Sequence, residues 1–171
     1  MVGSEWVYAG GGVTRIAAND RGEGGIATDV GPNQSELVVP KHPKGADVDS
    51  NIAKARGMRT VLLPPLNLLW FWEQVHNKAP WDYKQLERDY ADFGNFNYGA
   101  TGTALGLSQD TPLRAAGWAQ KRAGNAGTGE ATSLTGAILG IGGKPAYGDD
   151  PADQDWIMRG IQYYRTKHGE E

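Results

Sequence analysis

The segment from Pro80 to Gly106 constrains the fold most, because a helix-like run of carboxylates passes there directly into a run of glycines. Its second half alternates asparagine and aromatic residues with glycine. Glycine tolerates positive φ and close backbone approach, asparagine both donates and accepts hydrogen bonds, and an aromatic ring offers a flat surface. The pattern predicts a Gly/Asn-rich loop or small hairpin at about 93–104 that lines a binding cleft. The alternative is a turn cluster whose asparagines cap their own backbone. The candidate substrate-binding residues in this loop are Asn95, Asn97 and Tyr98.

The amino-acid composition limits which functions this chain can have. The net charge of −3 over 171 residues argues against a broad phosphate-binding surface, although a small basic cleft can sit on an acidic protein. The absence of cysteine excludes disulfides, zinc–thiolate sites and a cysteine nucleophile. No apolar run approaches the roughly 18 residues of a membrane span, and the N-terminus lacks a signal-peptide core. The many carboxylates make a metal site possible, but no residue spacing singles one out, and no cofactor is predicted.

Two regions differ in character along the chain. Glycine clusters and prolines before residue 47 indicate an extended N-terminal segment or linker over 1–46, typical of a junction with an upstream carrier. Residues 47–171 are predicted to form a compact, mainly α-helical domain. Glycine-rich residues 125–148 are expected to form a long loop, either a lid or a linker. The predicted helices span about 48–58 with Asp49 or Ser50 as cap, 65–77 beginning at Pro65, 82–92, 112–124 after a Thr111 cap, and a last helix with Asp150 as cap and Pro151 at its first position.

The helix predicted over 65–77 is apolar on most of its circumference and is expected to be the central buried helix. Glu73 falls on the face that Leu66, Leu69 and Trp70 share. If it is desolvated there, its carboxyl stays protonated near neutral pH and can act as a general acid. The alternative is a glutamate near a helix end that pairs with Lys78 or reaches solvent.

A second carboxylate is needed for acid–base hydrolysis of a glycosidic bond. Asp92 is the first candidate, because it ends a predicted helix just before the glycine-rich segment, where no cap is required. Asp82 is the second, although capping is the usual task of an aspartate at a helix start. His76 is a candidate base and Arg56 a candidate anion-binding residue, but a structural histidine and a solvated arginine are the more common outcomes.

Four strings of the sequence resemble the polymorphic toxin type 44 domain: WFWEQVHNKAPWDYKQ, DYADFGNFNYGATGTALG, AGWAQ and GDDPADQDWIMRGIQYY. The similarity covers roughly residues 47–164. It implies a mainly helical C-terminal toxin of bacterial polymorphic systems, delivered by type VI, Rhs or related machinery and neutralised by a cognate immunity protein. The family is also associated with a predicted ribonuclease activity. The resemblance marks as functional Trp81, Asp82, Lys84, Asp92, Asn95, Asn97 and Tyr98.

Three functions remain open. The favoured hypothesis is an antibacterial hydrolase that cuts peptidoglycan glycan strands in the periplasm, with Glu73 as acid, Asp92 or Asp82 as base or nucleophile, and aromatic residues packing on sugars. The second is a ribonuclease of the target cytoplasm, with His76 or a carboxylate as base and Lys84 and Arg56 stabilising charge on phosphorus. The third is a module that binds a cell-surface glycan without cleaving it.

Overall fold

The protein divides into two compact units, residues 1–33 and residues 34–171. In the first unit, strands β1 (Trp6–Ala9) and β2 (Gly12–Arg15) pair antiparallel with Trp6 opposite Arg15. The remainder of the predicted extended segment up to residue 37 lies outside the described residues. The structure is a computed structural model, and it describes residues 6–9, 12–15, 38–63, 66–122, 124, 127–139 and 141–169.

The second unit is mainly helical, as the sequence predicts. Short 3₁₀ turns at 83–85 and 88–90 replace most of the helix predicted over 82–92. The elements of this unit are α1 (Val48–Val61), α2 (Leu66–Val75), α3 (Ala91–Ala104), α4 (Asp110–Arg122), β3 (Thr128–Glu130), α5 (Leu134–Leu139), β4 (Lys144–Asp149) and α6 (Pro151–His168).

The segment predicted as a loop or hairpin is instead α3, the helix at the centre of the fold. Phe93, Phe96 and Ala100 on α3 are fully buried. The backbones of α3 and α6 approach closely at two glycines. A Cβ added at Gly99 would lie 2.0 Å from the Ile157 carbonyl oxygen, so only glycine fits this crossing. The glycines that suggested a loop therefore permit helix packing.

The helix predicted to be central, α2, lies at the edge of the core. Only Asn67 and Phe71 on it are buried. Leu66, Leu69 and Trp72 are each more than half exposed. The expectation of a buried central helix here is wrong, because the core gathers around α3 and leaves the outer face of α2 uncovered. The predicted first residue, Pro65, lies outside the described residues.

Helix α1 starts at Val48, as predicted, but its N-cap is Asp47 and not Asp49 or Ser50. Asp47 is the N-cap, and its carboxylate accepts hydrogen bonds from the backbone N–H groups of Asp49 and Ser50 at 3.2 Å. Those two residues therefore occupy the first turn and are not caps. Satisfying free N–H groups of the first turn stabilises a helix start by about 1 kcal/mol.

Helix α6 begins as predicted. Asp150 is its N-cap and accepts from the Ala152 N–H at 2.8 Å, with Pro151 at the first position. The helix ends at Gly169, whose φ of +65° is the left-handed conformation that favours glycine. Its predicted apolar stripe packs inward at Ile157, Ile161 and Tyr164, while Trp156 is half-buried.

The glycine-rich segment predicted as a long loop contains regular structure. Strands β3 and β4 pair antiparallel, with α5 between them in sequence. Strand β4 lies on α4 at Gly117, where a Cβ would come within 2.1 Å of the Tyr147 carbonyl oxygen. Helix α4 starts at Asp110, slightly before the predicted Thr111 cap. None of the helices in the described part of the chain is long and apolar enough to cross a membrane.

Candidate functional site

A group of acidic side chains surrounds Asp153 in the first turn of α6. Burial is the main cause that raises the pKa of Asp153, and the nearby charges of Asp150 and Asp92 raise it further. Lys84 and a polar contact with the Asn95 side chain oppose this rise. The fold therefore brings together three predicted site residues, Lys84, Asp92 and Asn95, around an aspartate that the sequence analysis did not select.

Asp149 lies just before this turn, at the end of β4, and is only 3% exposed. Burial raises the pKa of Asp149, although its carboxylate accepts hydrogen bonds from Gln154 Nε2 at 2.7 Å and from the Asp150 N–H at 3.0 Å. Gln154 also donates to the Leu113 carbonyl oxygen at 3.1 Å. These bonds fix Asp149 between α4 and α6.

Tyr98 joins the acidic group from α3. Burial, followed by the charge of Asp149, raises the pKa of the Tyr98 hydroxyl. Its ring stacks on Phe71 with the centroids 5.4 Å apart. Tyr98 therefore stays protonated at physiological pH, and its role in substrate binding stays a prediction.

The arrangement offers acid–base chemistry. Asp153 has a half-buried carboxyl whose pKa is raised, and exposed Asp92 and Lys84 lie near enough to influence it electrostatically. Differently situated carboxyl groups can divide the roles of proton donor and base. Among the described residues, no three His, Cys, Asp or Glu side chains are grouped so that they could hold a metal ion.

Glu73 does not occupy the desolvated position that was expected. Its side chain is 56% exposed at the C-terminal end of α2, and its Oε2 lies 3.9 Å from His76 Nε2. The His76 ring stacks on Trp72 with centroids 4.1 Å apart. The paired use of Glu73 and Asp92 stays a prediction.

Trp81 and Asp82 have structural contacts. Trp81 is 6% exposed and meets the ring of Trp70 edge-on at 5.7 Å. Asp82 accepts a hydrogen bond from the Lys78 N–H at 2.7 Å, and Lys78 has a φ of +66°. Asp82 thus stabilises an unfavourable turn conformation. A functional role for either residue stays a prediction.

Asn97 faces the interior and not a surface cleft. It is 1% exposed, and its Oδ1 accepts from Asn51 Nδ2 at 2.9 Å. The same Asn51 nitrogen donates to the Tyr83 hydroxyl at 2.8 Å. The Asn97 Nδ2 has no partner within the described structure. Asn97 therefore connects α3 to α1 instead of reaching solvent.

Arg56 lies away from the acidic group. It is exposed on α1, and its Nη1 is 3.0 Å from Nδ1 of His168, the last residue of α6. The acidic group is at the opposite end of that helix. The ribonuclease hypothesis requires Arg56 and Lys84 to act at one site, but the structure does not bring them together.

Asp149 and Asp153 are not among the predicted site residues, because the local signal in the string GDDPADQ is that of a capped helix start at Asp150 and Pro151. One capping carboxylate satisfies that need. The string carries two further aspartates, and this excess is the signal that could have identified them.

Residues 87–166 match the family described as bacterial toxin 44. This match confirms the resemblance stated from the sequence, over a somewhat shorter range. The matched range includes Asp92, Asn95, Tyr98, Asp149 and Asp153, and excludes Arg56, Glu73, His76, Asp82 and Lys84. No curated protein and no solved structure matches the chain.

Proposed function

We propose that the bacterial toxin 44 domain formed by residues 87–166 is the toxic part of an antibacterial effector and hydrolyses glycan strands of peptidoglycan. The observation that carries the proposal is the half-buried Asp153, whose pKa is raised mainly by burial, near the exposed Asp92. Glycosidic hydrolysis requires a proton donor and a second carboxyl group that acts as base or nucleophile.

Asp153 acts as the general acid in this proposal and gives its proton to the glycosidic oxygen. As the bond between the anomeric carbon and this oxygen breaks, Asp92 either activates the water that attacks the carbon or attacks it directly. In the second case, water then hydrolyses the glycosyl ester and returns a proton to Asp153, which acts as base in that step. Asn95 and Tyr98 contact hydroxyl or N-acetyl groups of the sugars. This assignment retains Asp92 from the sequence analysis and replaces Glu73 by Asp153.

The charge of the site favours a neutral glycan over RNA. Asp92 and Asp150 contribute negative potential there, and Lys84 is the cation that acts on Asp153. A polyphosphate chain would be repelled unless its charge were neutralised. We accordingly propose action in the periplasm of a target bacterium, delivery by an upstream carrier of type VI or Rhs type, and neutralisation by an immunity protein.

The activity is tested with the purified protein and isolated sacculi, by following new reducing ends and released muropeptides. Asp153→Asn is expected to lower the rate by at least about 100-fold, because general acid catalysis contributes about 10²–10⁴-fold. Asp155→Asn is the matched control: Asp155 is exposed on the same helix and pairs with Arg159 at 2.8 Å. Equal losses in both variants, or no new reducing ends with the unmodified chain, would contradict the proposal.

Expression in bacteria with and without a periplasmic signal separates the alternatives. Periplasmic toxicity with lysis, relieved by Asp153→Asn or Asp92→Asn, supports the glycan hydrolase. Growth arrest from the cytoplasmic form alone, with degraded RNA, would replace it by the ribonuclease. Sacculus binding that survives both substitutions, without cleavage, would indicate a glycan-binding module. Glu73→Gln is expected to leave toxicity unchanged, since Glu73 lies outside the acidic group.

A further inference from the structure

A surface cavity of about 300 Å³ lies between α1 and the last turn of α6. It is separate from the acidic group, since Asp153 begins α6 whereas this cavity is at its end. The lining residues from α1 also lie outside the range that matches the toxin family. The cavity is lined by Asp49, Ile52, Ala53, Arg56, Lys167 and His168.

The charge of Lys167 on one side of the cavity is already balanced. Its Nζ lies 2.6 Å from Asp49 Oδ2 and donates to the Tyr163 hydroxyl at 2.8 Å. That hydroxyl donates in turn to Asp49 Oδ1 at 3.0 Å. The hydrogen bond with Asp49 is the largest cause that raises the pKa of Lys167. This closed triangle forms a fixed, nearly neutral wall.

The other side carries two basic side chains in contact. Arg56 Nη1 lies 3.0 Å from His168 Nδ1, and neither has a carboxylate partner among the residues that the structure describes. A guanidinium group cannot accept a hydrogen bond, so Nδ1 of His168 is the acceptor. His168 Nε2–H and the other Arg56 N–H groups then remain available as donors. A forked set of donors without an anion is suited to a carboxylate.

The surface between the two sides is apolar. Ala53 is exposed and presents its methyl group to the cavity, and Ile52, although only 2% exposed, also lines it. An oxyanion alone would leave this apolar surface in water, whereas a carboxylate on a short alkyl chain would cover it. We propose that this cavity binds a carboxylate carried on a short aliphatic group, with Arg56 and His168 holding the charge and Ile52 and Ala53 contacting the alkyl part.

The proposal is tested by titrating the full chain with sodium butyrate while recording the ring-proton NMR signals of its histidines. His168 is expected to show a saturable shift, and His42 and His76 serve as internal references within the same sample. Inorganic phosphate is the comparison ligand, since it offers charge without an alkyl part. Arg56→Gln is expected to weaken butyrate binding at least tenfold, whereas Lys54→Gln, an exposed residue of the same helix, should leave it unchanged.

Each other outcome overturns the assignment. Parallel shifts of all three histidines would indicate a general salt effect, and no saturable shift of His168 would remove the site. Tighter binding of phosphate than of butyrate would contradict the aliphatic carboxylate. Equal weakening by Arg56→Gln and Lys54→Gln would show that the net charge of the chain, and not this cavity, governs binding. Sacculus cleavage is independent of all four results.

Discussion

At the scale of single residues, the buried amide of Asn51 links α1 to two later parts of the chain, through Tyr83 and Asn97. Truncation to alanine leaves two buried acceptors without their donor, and each such loss costs about 1–3 kcal/mol. We expect Asn51→Ala to lower the free energy of unfolding in urea by about 2–4 kcal/mol. Tyr83→Phe removes one of the two bonds and should cost less. A larger loss for Tyr83→Phe would contradict this account.

Asp153 makes stability depend on pH. Its pKa is higher in the folded than in the unfolded chain, so ionisation favours unfolding. This loss of stability is absent below 3.8, the pKa of the carboxyl in the unfolded chain. It appears as the pH rises through the higher pKa of the folded chain. Asp153→Asn removes this loss. The difference in melting temperature between the variant and the unmodified chain should therefore be more positive at pH 7 than at pH 3.

Calorimetry at both pH values measures this difference. Asp155→Asn is the control, because it removes an exposed ion pair and should not show the same gain at neutral pH. A melting temperature for Asp153→Asn that falls relative to the unmodified chain as pH rises would mean that the Asp153 carboxylate is stabilised in the folded state. Such a group could not serve as the proposed acid.

Part of the candidate site could be predicted from sequence. Asp92 is predicted because no cap is required at its position, and it lies near enough to Asp153 for its charge to act there. Asp153 is not among the predicted site residues, since an acidic residue in the first turn of a helix has an ordinary explanation in the helix dipole. Burial distinguishes a candidate catalytic aspartate from an ordinary aspartate at a helix start. Burial at this turn depends on the approach of α3, which no local sequence pattern specifies.

At the scale of elements, the crossing of α3 and α6 requires glycine on both helices. A Cβ at Gly99 would lie 2.0 Å from the Ile157 oxygen, and one at Gly160 would lie 1.9 Å from the Phe96 oxygen. We expect Gly99→Ala and Gly160→Ala each to destabilise the fold by about 2–4 kcal/mol, because backbones must move apart. Gly94 provides the matched control on α3.

A Cβ at Gly94 meets nothing within 4 Å. Gly94→Ala should therefore stabilise the protein by about 0.5–1 kcal/mol, through the better helix propensity of alanine. Urea denaturation of the three variants measures the contrast. Destabilisation by Gly94→Ala of the same size as by Gly99→Ala would mean that helix geometry in general, and not the crossing, requires these glycines.

The same glycines explain which elements the sequence could predict. Helix α6 was predicted correctly at its start because Asp150 and Pro151 are local signals whose effect needs no neighbour. Helix α3 was interpreted as a loop because glycine is a poor helix former. Its helical state depends on the contact with α6, which the sequence does not reveal. Helix α2 is predicted to be buried because its residues are mostly apolar, but several of those side chains are exposed in the structure.

At the scale of the whole molecule, residues 38–46 pack on the helical unit although they contain no helix or strand. Val39 and Ala46 lie against its core, and the His42 ring is 5.2 Å from that of Phe93. The ion pair of Lys41 with Asp89, at 2.9 Å, joins two exposed side chains and contributes little. We therefore expect this segment to stabilise the helical unit mainly through its apolar contacts.

Two fragments test whether the folded domain begins at residue 34 or at residue 47, the predicted domain boundary. Fragment 34–171 retains these contacts, whereas fragment 47–171 loses them and should melt about 3–8 °C below fragment 34–171. Thermal unfolding followed by circular dichroism measures both. Equal melting temperatures for the two fragments would support the boundary at residue 47. Different melting temperatures together with equal sacculus cleavage would mean that residues 38–46 stabilise the domain without taking part in its chemistry.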